Sequence, residues 1–371
     1  MAPGDASPQP KQPTAAGRPL RVAVIPGDGV GPEVVAEAVA AGIALREASL
    51  VDLDFVELDW GAERFLREGT AVPEGGFELL RACDAILFGA LGDPRVSDHE
   101  HARRILLGIR RHLDLYLNLR PVRCLAERLN PLRRTPCAAI DLCIVRENTE
   151  GLYCGAGGAL HEGTADEVAL EDMVVTRRGV ERVIRAAFEL AQRRPRRAVT
   201  LVDKSNALRH VGALWQRTFG DVAREFPAVS ADHLYVDTAA MWLVLDPGRF
   251  DVVVTGNLFG DILSDLAAAL QGGLGMAPSA NLHPGRASMF EPVHGSAPEL
   301  AGTGKANPLA ALASFGMLLG HAGRPELEAA MARSVAAAVD SGALTPDVGG
   351  TATTAEVGAT VRARLLEFAR A

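Results

Sequence analysis

Apolar positions cluster into short runs broken by glycine and proline. Leu20–Ile25 (LRVAVI) is a β-branched run stopped by PGDGVGP, and an Ala/Val pattern with helical spacing follows from about Glu33 to Arg46. This predicts strand, tight loop and helix. Further strands are predicted at Leu53–Leu58 and at Ala82–Leu87, the latter leading into FGALGDP. Buried strands follow at Asp141–Val145, Ala198–Val202 and Asp251–Thr255, separated by helical stretches at Arg178–Arg193, His210–Phe226 and Pro308–His321. Strands alternating with helices predict an α/β protein with a largely parallel sheet. There is no internal repeat and no long linker, so two domains would be interwoven rather than tandem. The basic run RRPRR at Arg193–Arg197 reads as a solvated helix end rather than a polyanion site.

Composition narrows the class. The 371 residues, 48% apolar and 23% charged, suffice for one large or two medium domains. No stretch reaches the roughly 18 consecutive apolar residues of a membrane helix. The opening segment lacks an apolar core, which argues against a secretory signal, and residues 1–19 read as a disordered tail. A net charge of −8 argues against nucleic acid as a partner. The five cysteines contain no Cys-x-x-Cys pair, which fits a reduced, cytoplasmic setting. Only three of the 38 basic residues are lysines: Lys11, Lys204 and Lys305. Where arginine replaces lysine so widely, a lysine that persists marks a position needing a titratable amine.

Several segments could carry chemistry. Gly27-Asp28-Gly29-Val30-Gly31-Pro32 has the look of a dinucleotide fingerprint, but Pro32 stands where the third glycine belongs. Asp261 and Asp265, four apart on a helix expected to begin near Gly260, share a face. They suit either a Mg²⁺ or Mn²⁺ site or an acid at a helix start beside an exposed one. Asp237, after a strand-like run, could complete a metal set. Lys204 follows an apolar strand and could serve as a general base or be a surface lysine. Arg110, Arg120 and Arg146 stand near strand ends or Gly-rich turns, where a planar fork suits carboxylates. Tyr153 closes the segment RENTEGLY.

IPGDGVGPEV, NLRPVR, VRENTEGLY, DKSNAL, YVDTAAM, DVVVTGNLFGDILSDL, FEPVHGSAPELAG and ANPLAA occur in one order. Together, from about Leu20 to about Val361, the chain resembles the isopropylmalate/isocitrate dehydrogenase family of metal-dependent β-decarboxylating dehydrogenases. It is most similar to the isopropylmalate and D-malate/tartrate branches. The resemblance implies two interwoven α/β domains around a central cleft, distinct from the Rossmann fold. Residues 20–115 and 272–371 would form the first, and 116–271 the second, which makes the contacts of a homodimer with shared active sites. It further implies Mg²⁺ or Mn²⁺ on Asp237, Asp261 and Asp265, with Asp237 and Lys204 delivered by the partner. Arg110, Arg120 and Arg146 would grip the substrate's carboxylates. Lys204 would take the C2 hydroxyl proton, and Tyr153 would help protonate the carbon left by CO₂. The cofactor would lie on His294, Gly295, Ser296, Ala297 and Glu299 through Asn307, with Glu291 near the nicotinamide ribose.

Glu299 falls where an acid would accept the ribose hydroxyls and repel a 2′-phosphate, which implies NAD⁺ rather than NADP⁺; the bland alternative is a helix-start acid. If residues 99–111 are helical, Arg103, Leu106, Leu107 and Arg110 share a face. The leucine pair resembles an alkyl pocket. Arg103 departs from the acid commonly found there and either snorkels to solvent or meets an anionic group. The expected reaction is NAD⁺-dependent oxidative decarboxylation of a 3-substituted (2R)-malate, foremost 3-isopropylmalate. D-malate, tartrate, isocitrate, homoisocitrate and an unusual 3-substituted malate remain alternatives, as does a silent regulatory subunit.

Overall fold

The computed structural model describes residues 18–370. Residues 1–17 of the expected tail, Lys11 among them, lie outside the described residues. Arg18 is anchored, its guanidinium forking onto Asp84 at 2.7 and 2.6 Å. The chain divides into two compact units, one built from the residues up to Leu115 together with those from Gly272 onward, the other from Tyr116–Gln271.

The first unit begins with β1 (Leu20–Gly27), α1 (Gly31–Glu47), β2 (Leu53–Glu57), α2 (Ala62–Glu68), α3 (Gly76–Ala82), β3 (Ala85–Ala90) and α4 (Glu100–His112). The second unit then supplies β4 (Leu117–Arg123), β5 (Asp141–Glu147), β6 (Gly157–Leu160), β7 (Val168–Glu171), α5 (Arg177–Arg193), β8 (Ala198–Asp203), α6 (Arg209–Ala223), β9 (Ser230–Tyr235), α7 (Val236–Leu245), β10 (Val252–Thr255) and α8 (Asn257–Ala269). The chain returns to the first unit through β11 (Pro278–Leu282), β12 (Ser288–Pro292), α9 (Leu309–His321), α10 (Pro325–Ser341) and α11 (Thr354–Phe368).

In the first unit the strands run β2-β1-β3-β12-β11, parallel except for the β11–β12 pair. Strand β3 (AILFGA) is buried along its whole length, as a central parallel strand covered on both faces must be. Ala23, Ile25, Trp60, Phe88 and Met289 form one core cluster with Ile105 and Ile109 of α4, and this seats the helix. In the second unit the order is β4-β5-β10-β8-β9, with only β4–β5 antiparallel. Helix α5 buries Val180, Val183, Ile184, Ala187, Phe188 and Ala191 at helical spacing, and Thr176 caps its start by accepting from the Gly179 N–H.

The basic run is a helix end with Arg193, Arg196 and Arg197 exposed, as expected, but it also makes specific contacts. Arg194 donates to Asp251 at 2.5 Å and to Asp141 at 2.8 Å, and Arg196 donates to the carbonyls of Gly248 and Phe250. Asp251 is buried and also accepts the Ala198 N–H. The run is a clamp on the loop before β10, because a buried carboxylate there needs charged partners. No helix among the described residues is long and apolar enough to cross a membrane.

Candidate functional site

In the second unit, β10 (VVVT) is fully buried and hands over directly to α8, which starts at Asn257. The helix thus begins three residues earlier than the spacing suggested. Its first residue is held in place: the Asn257 carbonyl accepts from Arg146 Nε and Nη2 at 3.1 and 2.8 Å, and its amide donates to the Glu150 carbonyl at 3.0 Å. Gly260 is needed one turn on, because a Cβ would sit 2.5 Å from Arg146 Cγ. Arg146, at the end of β5, is buried and donates to Asp261 at 2.5 Å.

Asp261 also accepts the Tyr153 hydroxyl at 2.6 Å and faces Arg120 Nη2 at 3.5 Å. Arg120, from β4, is fixed by the Asn118 carbonyl at 2.9 Å and Ser264 Oγ at 2.6 Å, which leaves Nη1 3.4 Å from Asp265. Partial burial pushes the Asp265 carboxyl above its usual range, with Arg120 opposing and the neighbouring Asp261 adding to the effect. Two carboxylates and two guanidiniums therefore meet on one face of α8. Tyr153 stands on a single 3-10 turn, and the segment before it is braced by Glu147, whose carboxylate accepts the Thr149 and Glu150 N–H groups. Burial raises the Glu147 carboxyl.

Lys204 follows β8, and its Nζ lies 2.8 Å from Asp237 in the first turn of α7. That hydrogen bond holds the Asp237 carboxyl below its ordinary range. The preceding Asp203 is buried and accepts from the Ser205 N–H and the His233 ring. A mostly apolar pocket lies beside Lys204, lined by Leu152, Val211, Trp215 and Phe259 among others. Among the described residues, no three His, Cys, Asp or Glu side chains gather as a metal site. Asp237 does not gather with Asp261 and Asp265 within one chain; its carboxylate pairs with Lys204. The acid pair on α8 still suits a hard cation: its donors are all carboxylate oxygens, and Asp265 is only half covered.

In the first unit, Arg110 near the end of α4 is buried, with Nη2 3.2 Å from Glu291 Oε1 on β12. Asn281 donates to the same carboxylate at 2.7 Å. The residues expected at substrate and at cofactor are thus direct neighbours. Leu106 and Leu107 are half-buried but Arg103 is exposed, so the face shared with Arg110 turns to solvent at its N-terminal end. In the loop 294–299, the Ser296 carbonyl accepts the Val30 N–H at 2.8 Å, and Gly29 (φ +58°) leaves no room for a Cβ against it. Burial lowers the His294 ring below its usual range. Gly295 and Glu299 are exposed, Ala297 adopts φ +36°, and Asn307 is buried, donating to Asp347 at 3.1 Å and accepting the Leu309 N–H. Asp28 and His101 form a buried pair at 2.8 Å, which the sequence reading passed over because neither residue carries a spacing signal.

Interwoven α/β units with a carboxylate pair backed by arginines define a class of enzyme that handles acidic substrates with a divalent cation. The chain belongs to the isocitrate/isopropylmalate dehydrogenase family, whose model it matches over residues 21–361. It is 51% identical to a 3-isopropylmalate dehydrogenase of Frankia casuarinae over 88% of this chain and 96% of that one. A 3-isopropylmalate dehydrogenase of Thermobifida fusca is 46% identical over 94% of this chain and 99% of its own length. Among solved structures, isocitrate dehydrogenase from Methylococcus capsulatus superposes with a TM-score of 0.82 at 36% identity, covering 93% of this chain and 99% of that one.

Proposed function

We propose that the chain oxidises a 3-substituted (2R)-malate with NAD⁺ and releases CO₂, with 3-isopropylmalate as the substrate. The observation that carries the reading is the cluster on α8, where Asp261 and Asp265 face Arg120 and Arg146 with the Tyr153 hydroxyl 2.6 Å from Asp261. Membership of the family and the two 3-isopropylmalate dehydrogenases that align along nearly their whole length support the same reaction.

Arg110, Arg120 and Arg146 bind the substrate's carboxylates, their forks set by buried partners so that little side-chain entropy is lost on binding. When held by Asp261, Asp265 and the partner subunit's Asp237, Mg²⁺ or Mn²⁺ supplies Lewis-acid polarisation at C2, and NAD⁺ on loop 294–299 supplies the hydride acceptor. The partner subunit's Lys204 accepts the C2 hydroxyl proton as hydride leaves that carbon. The product carries a carboxylate β to a ketone, so loss of CO₂ leaves an enolate. Tyr153 donates its phenolic proton to the carbanionic carbon. Glu299 favours NAD⁺ by accepting the ribose hydroxyls.

Exposed apolar side chains support shared sites. Met241, Val244 and Leu245 on α7 and Ile262 on α8 are exposed, as are Leu160 and Leu170 of the β6–β7 hairpin. A second copy covering these elements would form the homodimer and bring Lys204 and Asp237 across together. NADH absorbance with 3-isopropylmalate, D-malate, tartrate, isocitrate and homoisocitrate, each with Mn²⁺ and NAD⁺, tests the reading. Turnover fastest with 3-isopropylmalate is expected. Silence on all five overturns it.

A further inference from the structure

Both carboxylate oxygens of Asp28 are engaged. One oxygen accepts the Ala62 N–H at 2.7 Å, at the start of α2; the other accepts the Gly92 N–H at 2.9 Å and meets His101 Nε2 at 2.8 Å. With a carboxylate at Nε2, that nitrogen carries the proton and donates it. His101 is fully buried, and its Nδ1 has no partner. It therefore makes a single directed bond, from the first turn of α4 to the loop after β1.

The approach to that turn is strained. Asp98 and His99, immediately before α4, adopt φ of +53° and +49°, which costs of order 1 kcal/mol or more for each non-glycine residue. Ile105 and Ile109 hold the middle of the helix in the core. His101 is the polar tie at its strained end. On the other side of Asp28, two residues along, Val30 donates to the Ser296 carbonyl at 2.8 Å, with Gly29 packed against that residue. A single loop thus joins the helix bearing Leu106, Leu107 and Arg110 to the loop 294–299.

We propose that His101, through Asp28, is a positioning residue that sets α4 and loop 294–299 together, so that substrate and cofactor affinity depend on one buried hydrogen bond. The inference rests on the proposed function for the roles of α4 and of the cofactor loop.

His101→Leu removes the bond and keeps an apolar filling, whereas His101→Gln retains an N–H able to reach Asp28. KM and kcat are read with 3-isopropylmalate, and NADH affinity is read separately by fluorescence titration, which needs no turnover. In the leucine variant, KM and the NADH Kd are each expected to rise about five- to tenfold with kcat within about threefold, the size of one lost hydrogen bond of ordinary strength. In the glutamine variant both return to within about twofold of the parent. A leucine variant with unchanged NADH affinity overturns the proposal, and so does a glutamine variant as impaired as leucine. Should the leucine variant not fold, His101→Asn, too short to reach Asp28, takes its place with the same criteria. If the parent enzyme is silent on every substrate, the proposed reaction fails, while NADH titration of the three proteins still decides the role of His101.

Discussion

Lys204 lies 2.8 Å from Asp237 in the isolated chain, and the proposed function makes it the base. Replacement by alanine should lower kcat by about 10²- to 10⁴-fold, the usual worth of a general base, with the melting temperature retained. Near-parental turnover would remove Lys204 from the chemistry. A second residue acts on stability alone. Glu328 of α10 is mostly buried beside Gly320 of α9, and burial pushes its carboxyl up to about 7 from a reference of 4.5. The folded state therefore holds the proton more tightly than the unfolded one. Stability on this account is fully present below about pH 4.5, falls as pH rises towards 7, and the loss is complete above it. Glu328→Gln should stabilise the protein at pH 8 by at most about 3 kcal/mol and hardly at pH 4.5, read as unfolding midpoints at the two pH values. Of these two residues only Lys204 was legible in the sequence, through its rarity. Nothing along the chain signals that Glu328 is buried, because its surroundings are set by how α9 and α10 pack.

At the scale of elements, the buried parallel strands were the most readable. Runs such as DVVVT owe their composition to burial on both faces, and they reappear as β10, β8 and β5. The helix over residues 99–111 is found at Glu100–His112, although burial along it departs from a simple face because Arg103 points out and His101 points in. Less legible were β6 and β7, whose residues are exposed throughout, and β4, which combines Pro121 with two arginines. Such strands lack the long β-branched run that marks β10. On α8 the i,i+4 spacing of the aspartates was visible, but the arginines opposite them come from β4 and β5 and were placed only by the fold. If that helix is a cation site, Mn²⁺ should raise the melting temperature of the parent by binding the native state. The rise should shrink to near zero in Asp265→Asn. A full shift in that variant would place the ion elsewhere.

At the scale of the molecule, the proposed function draws Lys204 and Asp237 from one chain and Asp261 and Asp265 from another at each working site. Two inactive proteins, Lys204→Ala and Asp261→Asn, should then rescue each other when unfolded and refolded together. Random pairing gives mixed dimers in about half the population, each with one intact site, so about a quarter of parental turnover is expected. Persistent inactivity in a refolded mixture that sediments as a dimer would show that each chain supplies its own base. One further property follows from the order of the segments. Strand β12 pairs with β3 in parallel, Ser288 opposite Ala85, with the whole of Tyr116–Gln271 spelled out between them. On the ribosome the middle of the chain can therefore close while the opening third still waits for its neighbour. Until residues near 290 emerge, the fully apolar edge of β3 lacks its partner strand. Chaperone demand and aggregation during synthesis should thus concentrate on the first-made part of the molecule, whose sheet is the last to be completed.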